Sequence, residues 1–176
     1  MNSFNAFDHV VETALSNRPD LAPLRPVVEK ELLHHDILRH LADTGILARF
    51  TFIGGTCLRM CHGSSRLSED LDFTTAMDPE TVHALLGELP ASLRILLEDK
   101  YQLPVSVTEP VRNDGLVQTW KIRLTTRPDR PDLPSQRIHI DVQLLPSQDP
   151  GPELLRNPYR VDMGTSGLIV QAASRT

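Results

Sequence analysis

The chain has 176 residues and a mass of 19.7 kDa, enough for one domain with its own core. Its formal net charge of −5 argues against a surface coated with nucleic-acid-binding cations, though a local basic groove stays compatible with it. A mean hydropathy of −0.22, and no apolar run near the ~20 residues that span a bilayer, argue against a membrane-embedded chain.

Residues 6–16 are predicted as a short helix, stopped at Asn17-Arg18-Pro19. A longer helix is predicted from Pro26 to Thr44. Pro26 suits a first helical position, Val28, Leu32, Leu33, Ile37, Leu38 and Leu41 form an apolar stripe, and Gly45 supplies the exit. His34, His35 and His40 ride on this helix. His35 and His40 miss the i, i+4 spacing of a helical metal pair, so solvated or half-buried roles are expected rather than zinc ligation.

Phe50–Ile53 reads as a short buried strand running into Gly54-Gly55-Thr56, and Cys57–His62 as a short helix closed by Gly63. Cys57 and Cys61 share one helix face, where a disulfide is hard to form. They are expected as small core residues of a protein from a reducing cytoplasm. Met1–Asp8 lacks the basic start and apolar stretch of a signal peptide.

Leu71–Phe73 is predicted as a strand, Asp78–Leu86 and Ala91–Tyr101 as helices, and Val105–Val111, Val117–Thr125 and Arg137–Leu145 as strands. A proline-rich exposed loop, Arg127–Pro134, separates the last two. From Pro146 the tail reads as loop until an apolar stretch at Leu168–Ala173. Helices first and strands second indicate an α+β fold. Lys121 and Arg123 alternate with Trp120, Ile122 and Leu124, so both cations share a strand face, either solvated or meeting triphosphate or RNA.

Candidate chemistry begins with Asp70 and Asp72. On a strand, residues two apart face the same way, with Cα atoms about 6.6 Å apart. Carboxylates so placed can bracket divalent ions about 3.5–4 Å apart. A third carboxylate, Asp141, lies on the polar face of the alternating stretch Arg137-Ile-His-Ile-Asp-Val-Gln-Leu144. If its strand pairs beside that of Asp72, the three converge and require a cation. Hard oxygen ligands favour Mg²⁺ or Mn²⁺.

An Asp-x-Asp alone is common, and a lone Gly-Gly-Thr is more often a tight turn with Thr56 as helix cap. In order, however, they form a set: a glycine bend whose exposed N–H groups can cradle phosphate, an Asp-x-Asp, then a later strand aspartate. Thr56 is expected to cap the helix and offer its hydroxyl to phosphate. Nucleotidyl transfer requires such a set, to hold the β- and γ-phosphates and bind metal around the α-phosphate and acceptor oxygen.

Phe52-Ile-Gly-Gly-Thr-Cys-Leu-Arg59 and Arg66-Leu-Ser-Glu-Asp-Leu-Asp-Phe73, with Val28-Glu29-Lys30 upstream, resemble the signature of the AbiEii/AbiGii toxin family of nucleotidyltransferases. The resemblance implies a polymerase-β-like nucleotidyltransferase fold, a mixed β-sheet flanked by helices, using NTP with Mg²⁺. On this reading residues 1–176 are a single nucleotidyltransferase domain, with N-terminal helices over 6–44, a catalytic core over 50–145 and a tail over 146–176. Gly54, Gly55 and Thr56 would form the nucleotide cradle. Arg59, Arg66 and Ser68 would be further nucleotide-binding residues, the last two orienting Asp70 or touching phosphate. Asp70, Asp72 and Asp141 would be catalytic and hold the metal.

Family members act as toxins of bacterial toxin–antitoxin or phage-defence pairs, and some add nucleotides to tRNA 3′ ends. The implied partners are therefore an NTP, a tRNA or other RNA acceptor, and a cognate antitoxin protein. Members usually continue into a helical region with a Lys-x-x-Asp motif. Here the sequence stops where such a helix is expected to start, and no Lys follows Lys121. Two alternatives follow: the same fold modifying a protein or small-molecule hydroxyl, and a catalytically silent module that binds nucleotide or a partner.

Overall fold

The computed structural model describes residues 4–111, 115–147 and 149–174. Helix α1 (Ala6–Asn17) opens on a reciprocal cap, in which Asn5 Oδ1 accepts from the Asp8 N–H at 2.8 Å and Asp8 Oδ2 accepts from the Asn5 N–H at 3.1 Å. After a 3-10 turn at Pro19–Leu24, α2 (Arg25–Asp43) buries the whole predicted stripe from Val28 to Leu41. Helices α3 (Gly54–His62), α4 (Pro79–Leu85) and α5 (Leu89–Tyr101) follow. The last buries Leu89, Leu93, Leu97 and Tyr101 at intervals of one turn.

The strands are β1 (Thr51–Ile53), β2 (Leu71–Thr74), β3 (Val105–Thr108), β4 (Val117–Leu124), β5 (Gln136–Gln143), β6 (Gly151–Leu154) and β7 (Ile169–Ala172). They form a seven-stranded mixed sheet in the order β3-β4-β5-β2-β1-β7-β6. β2 runs parallel to β5 and β1 to β7, and the other neighbours are antiparallel. The α+β expectation with a mixed sheet and flanking helices is what the structure has.

One face of the sheet is apolar: Leu71, Phe73, Trp120, Ile122, Ile138, Ile140 and Val142 are all buried. Helices cover it, with His83 of α4 against Trp120 at 6.1 Å and Gln136 Nε2 bonded to the Pro26 carbonyl of α2 at 2.9 Å. Burial of such side chains contributes about 1.5–3 kcal/mol each. The alternate positions, among them Asp72, Thr119, Lys121, Arg137, His139 and Asp141, lie on the other face and are half-buried or exposed.

Three expectations need correction. β3 stops at Thr108 instead of Val111, because Pro110 carries no N–H to extend the ladder. The tail contains two strands, not a loop leading into a helix. β7 seats Ala172 beside Phe52 of β1, where the Ala173 N–H donates to the Phe52 carbonyl at 2.9 Å. His34 and His35 are fully buried rather than solvated or half-buried. His34 Nε2 bonds the Glu69 carbonyl and His35 Nδ1 bonds Thr165 Oγ1, each at 2.7 Å. Burial holds both imidazoles well below their ordinary pKa, His35 down to about 3. Among the described residues no helix is long and apolar enough to cross a membrane.

Candidate active site

α3 starts three residues earlier than predicted. Its N-cap is Ile53, in extended backbone and without a side-chain cap bond, and Gly54 turns the chain with a φ of +78°. Thr56 is therefore inside the first turn and is not the cap. Its buried hydroxyl donates to the Asp70 carbonyl and bonds Ser68 Oγ, which ties the helix start to the segment before β2. A Cβ on Gly54 would stand 2.6 Å from Asp72 Oδ2, and one on Gly55 would stand 3.3 Å from Ser68 Oγ. The diglycine thus makes room for an aspartate and a serine of this chain and leaves the first-turn N–H groups of α3 free of a side-chain cap.

Asp72 of β2 and Asp141 of β5 are register partners, and Thr119 of β4 is the next partner across. Thr119 Oγ1 donates to Asp141 Oδ1 at 2.6 Å. Asp70 precedes β2, and its Oδ1 accepts the His139 N–H at 2.9 Å. The Asp72 carboxyl is pushed up to about 6 by burial first, then by the charges of Asp141 and Asp70 and by a hydrogen bond with the Asp141 carboxylate. None of the three has a Lys, Arg or His side-chain nitrogen within 4.0 Å among the described residues.

The convergence is therefore closest for two of the three. Asp72 and Asp141 stand side by side, whereas one oxygen of Asp70 is spent on β5 backbone. No group of three or more His, Cys, Asp or Glu side chains in a metal-holding arrangement is present among the described residues. The donor chemistry still fits a hard divalent ion, since the adjacent carboxylates have no compensating cation.

The segment before β2 is braced from α2. Glu31 is 5% exposed; it takes Arg59 Nε on both carboxylate oxygens at 3.1 and 3.0 Å, the Ser68 N–H at 3.2 Å and the Tyr159 hydroxyl. Arg59 Nη1 donates to the Ser64 carbonyl at 3.1 Å. The Arg59 guanidinium thus packs inward on Glu31. Arg66 is exposed and, with Gly55, Ser68, Asp70 and Asp72, lines an open cleft of about 800 Å³. Nothing in the sequence reading singles out Glu31, Thr119 or Tyr159. Glu31 left a signal there, as a carboxylate within the apolar stripe that must find a partner once buried. Cys57 and Cys61 are buried free thiols, as expected.

A family model described as the nucleotidyl transferase AbiEii toxin of a type IV toxin–antitoxin system matches residues 36–175. Among solved structures, a Helicobacter pylori protein described as a candidate nucleotidyltransferase is 19% identical with a TM-score of 0.48, over 85% of this chain and 54% of that one. JHP933 from Helicobacter pylori is 17% identical with a TM-score of 0.49, over 85% of this chain and 52% of that one. The chain spans about half the length of each. Comparison with curated proteins gives no match.

Proposed function

The chain belongs to the AbiEii nucleotidyl transferase toxin family, and from that premise we propose that it transfers NMP from an NTP to an RNA 3′ end, tRNA being the candidate acceptor. The observation that carries this reading is the pairing of Asp72 with Asp141 beside the Gly54–Gly55 bend. We take residues 1–176 as one nucleotidyltransferase domain acting in the cytoplasm as a toxin, held in check by a cognate antitoxin.

In this reading the uncapped N–H groups at the start of α3 receive the β- and γ-phosphates, favoured by the positive end of the helix. Arg66, exposed at the cleft, adds a forked donor for phosphate. Asp72 and Asp141 hold Mg²⁺ or Mn²⁺, with Asp70 completing the set. When bound, the metal would supply charge neutralisation at the α-phosphate and would lower the pKa of the acceptor hydroxyl. The acceptor oxygen bonds to the α-phosphorus, the bond to the bridging oxygen breaks, and pyrophosphate leaves with that electron pair. The hydroxyl proton leaves to solvent water at the open cleft. Arg59, held by Glu31, acts by positioning the Ser64–Asp70 segment.

The test is to incubate the protein with each labelled NTP, Mg²⁺ and total RNA. Label on RNA with one NTP, abolished in Asp72→Ala, is the expected result. Label on protein or a small molecule instead would transfer the same chemistry to another hydroxyl. Tight NTP binding with no labelled product would leave a silent binding module.

A further inference from the structure

We infer that the open face of β4 and β5 is a track for the phosphodiester backbone of the acceptor RNA, an inference that rests on the nucleotidyltransferase reading above. The track begins at the carboxylates. Moving away from the Thr119–Asp141 pair, the next same-face register pair is Lys121–His139, and the one after is Arg123–Arg137. Each step of two residues advances about 7 Å, so a polyanion lying along the strands meets a cation in successive rows. Lys121, Arg123 and Arg137 are exposed, and none has a carboxylate within 4.0 Å among the described residues. Arg123 Nε is fixed by Ser135 Oγ at 3.1 Å. Beyond the last pair a groove of about 560 Å³ lies between Arg123, Arg137, Lys30 and the Pro131–Ser135 loop. In a chain of net charge −5, such a run of unpaired cations stands out.

Position assigns the run to the acceptor rather than to the NTP. In the sheet order the carboxylates occupy β5 and β2; the glycine bend follows β1 on one side of them, and the cations lie on β5 and β4 on the other. The donor triphosphate at the α3 N-terminus and a strand on the cation rows would therefore approach the carboxylates from opposite sides. The rows pair Lys121 with Thr108 and Arg123 with Ser106, hydroxyl donors typical of phosphate contacts. Among the described residues the Lys121 and Arg123 rows carry no Phe, Tyr, Trp or large aliphatic side chain of the kind a protein interface is built on, and His139, the one ring in them, is half-buried. Recognition by this face is through the backbone and indifferent to base sequence.

The experiment measures binding of a labelled RNA hairpin with a single-stranded 3′ end, without NTP, over a series of salt concentrations, and of a fluorescent NTP analogue separately. In the triple variant Lys121→Ala/Arg123→Ala/Arg137→Ala, RNA affinity falls by about 10-fold or more and the salt slope loses about 2. NTP affinity and melting temperature stay unchanged, because all three side chains are exposed and lie away from the bend. Arg137→Glu alone gives the same direction. Unchanged RNA affinity overturns the inference, as does a loss confined to the NTP, which would reassign the cations to the triphosphate. Displacement of RNA by an acidic polypeptide more readily than by a second RNA would also overturn it, in favour of a protein partner. Turnover separates the two claims. A chain that binds RNA through these rows but transfers no nucleotide keeps the track and loses the activity. A chain whose triple variant labels RNA with an unchanged KM for RNA keeps the activity and loses the track.

Discussion

Asp72 and Asp141 are register partners in the parallel β2–β5 pair, and no cation of this chain stands within 4.0 Å of either carboxylate among the described residues. In the metal-free protein this pairing is a cost, because each negative charge opposes its neighbour. Asp72→Asn removes one charge while keeping the shape. Without divalent ions at neutral pH, the variant is expected to melt at a higher temperature than the parent chain, and to lose the rise that Mg²⁺ gives the parent. Transfer activity falls by at least about 100-fold, since even outer-shell partners of a metal cost 10–100-fold. Differential scanning fluorimetry with and without chelator, beside a labelled-NTP assay, reads both.

Gly54 and Gly45 have the same φ of +78°, but only Gly54 faces a carboxylate, with a Cβ position 2.6 Å from Asp72 Oδ2. Alanine at either position carries a left-handed backbone penalty of about 1–2 kcal/mol. Gly45→Ala is expected to lose that stability and keep its activity, having nothing within 4 Å of the new methyl. Gly54→Ala loses both, because Asp72 must move. Comparing kcat/KM at matched fractions folded distinguishes displacement of the carboxylate from general destabilisation.

Glu31 and Asp36 are both buried carboxylates on α2 with different partners. Glu31 holds Arg59, Ser68 and Tyr159, while Asp36 takes Lys100 and Tyr101. Glu31→Gln strands a buried guanidinium and should cost about 3–5 kcal/mol in a denaturant melt. It also releases the segment leading to Asp70, so activity falls further than the loss of folded protein explains. Asp36→Asn is the control: destabilised, with normal activity per folded molecule.

The buried histidines give a pH dependence of defined sign. The His35 pKa lies at about 3 in the folded chain, against an ordinary value of 6.5. Between those values the unfolded chain binds the proton and the folded one does not. The stability His35 contributes is therefore complete above pH 6.5 and is lost as pH falls towards 3, at about 1.4 kcal/mol per pH unit. Replacing it by glutamine, which can still bond Thr165, should flatten the fall in urea-derived stability below pH 6.5 relative to the parent. An equal slope in both proteins would contradict the assignment.

Much of this architecture is legible in the chain because local rules and tertiary packing agree. The α2 stripe and the alternation from Arg137 to Gln143 each specify one buried face, and the structure buries those faces. The tail departs from the sequence expectation for a physical reason. Six apolar-leaning residues at Leu168–Ala173 fit a strand or a helix start equally well by periodicity, and the unpaired edge of β1 decides the matter. The Asp72–Asp141 register was not legible, since it depends on which strands become neighbours. The inward turn of Arg59 and Thr56 was also hidden, because it depends on Glu31 and Asp70 meeting them from other segments. By pattern alone the glycines make room for a ligand, whereas the neighbour a Gly54 side chain would strike is Asp72.

Manganese tests the central claim most directly, because it substitutes for Mg²⁺ at oxygen ligands and is visible by electron paramagnetic resonance and by anomalous scattering. The account predicts Mn²⁺ bound to the protein with NTP, an anomalous peak between the Asp72 and Asp141 carboxylates, and loss of the bound signal in either Asp→Ala variant. Mn²⁺ retained equally by both variants, or located away from this pair, would contradict it.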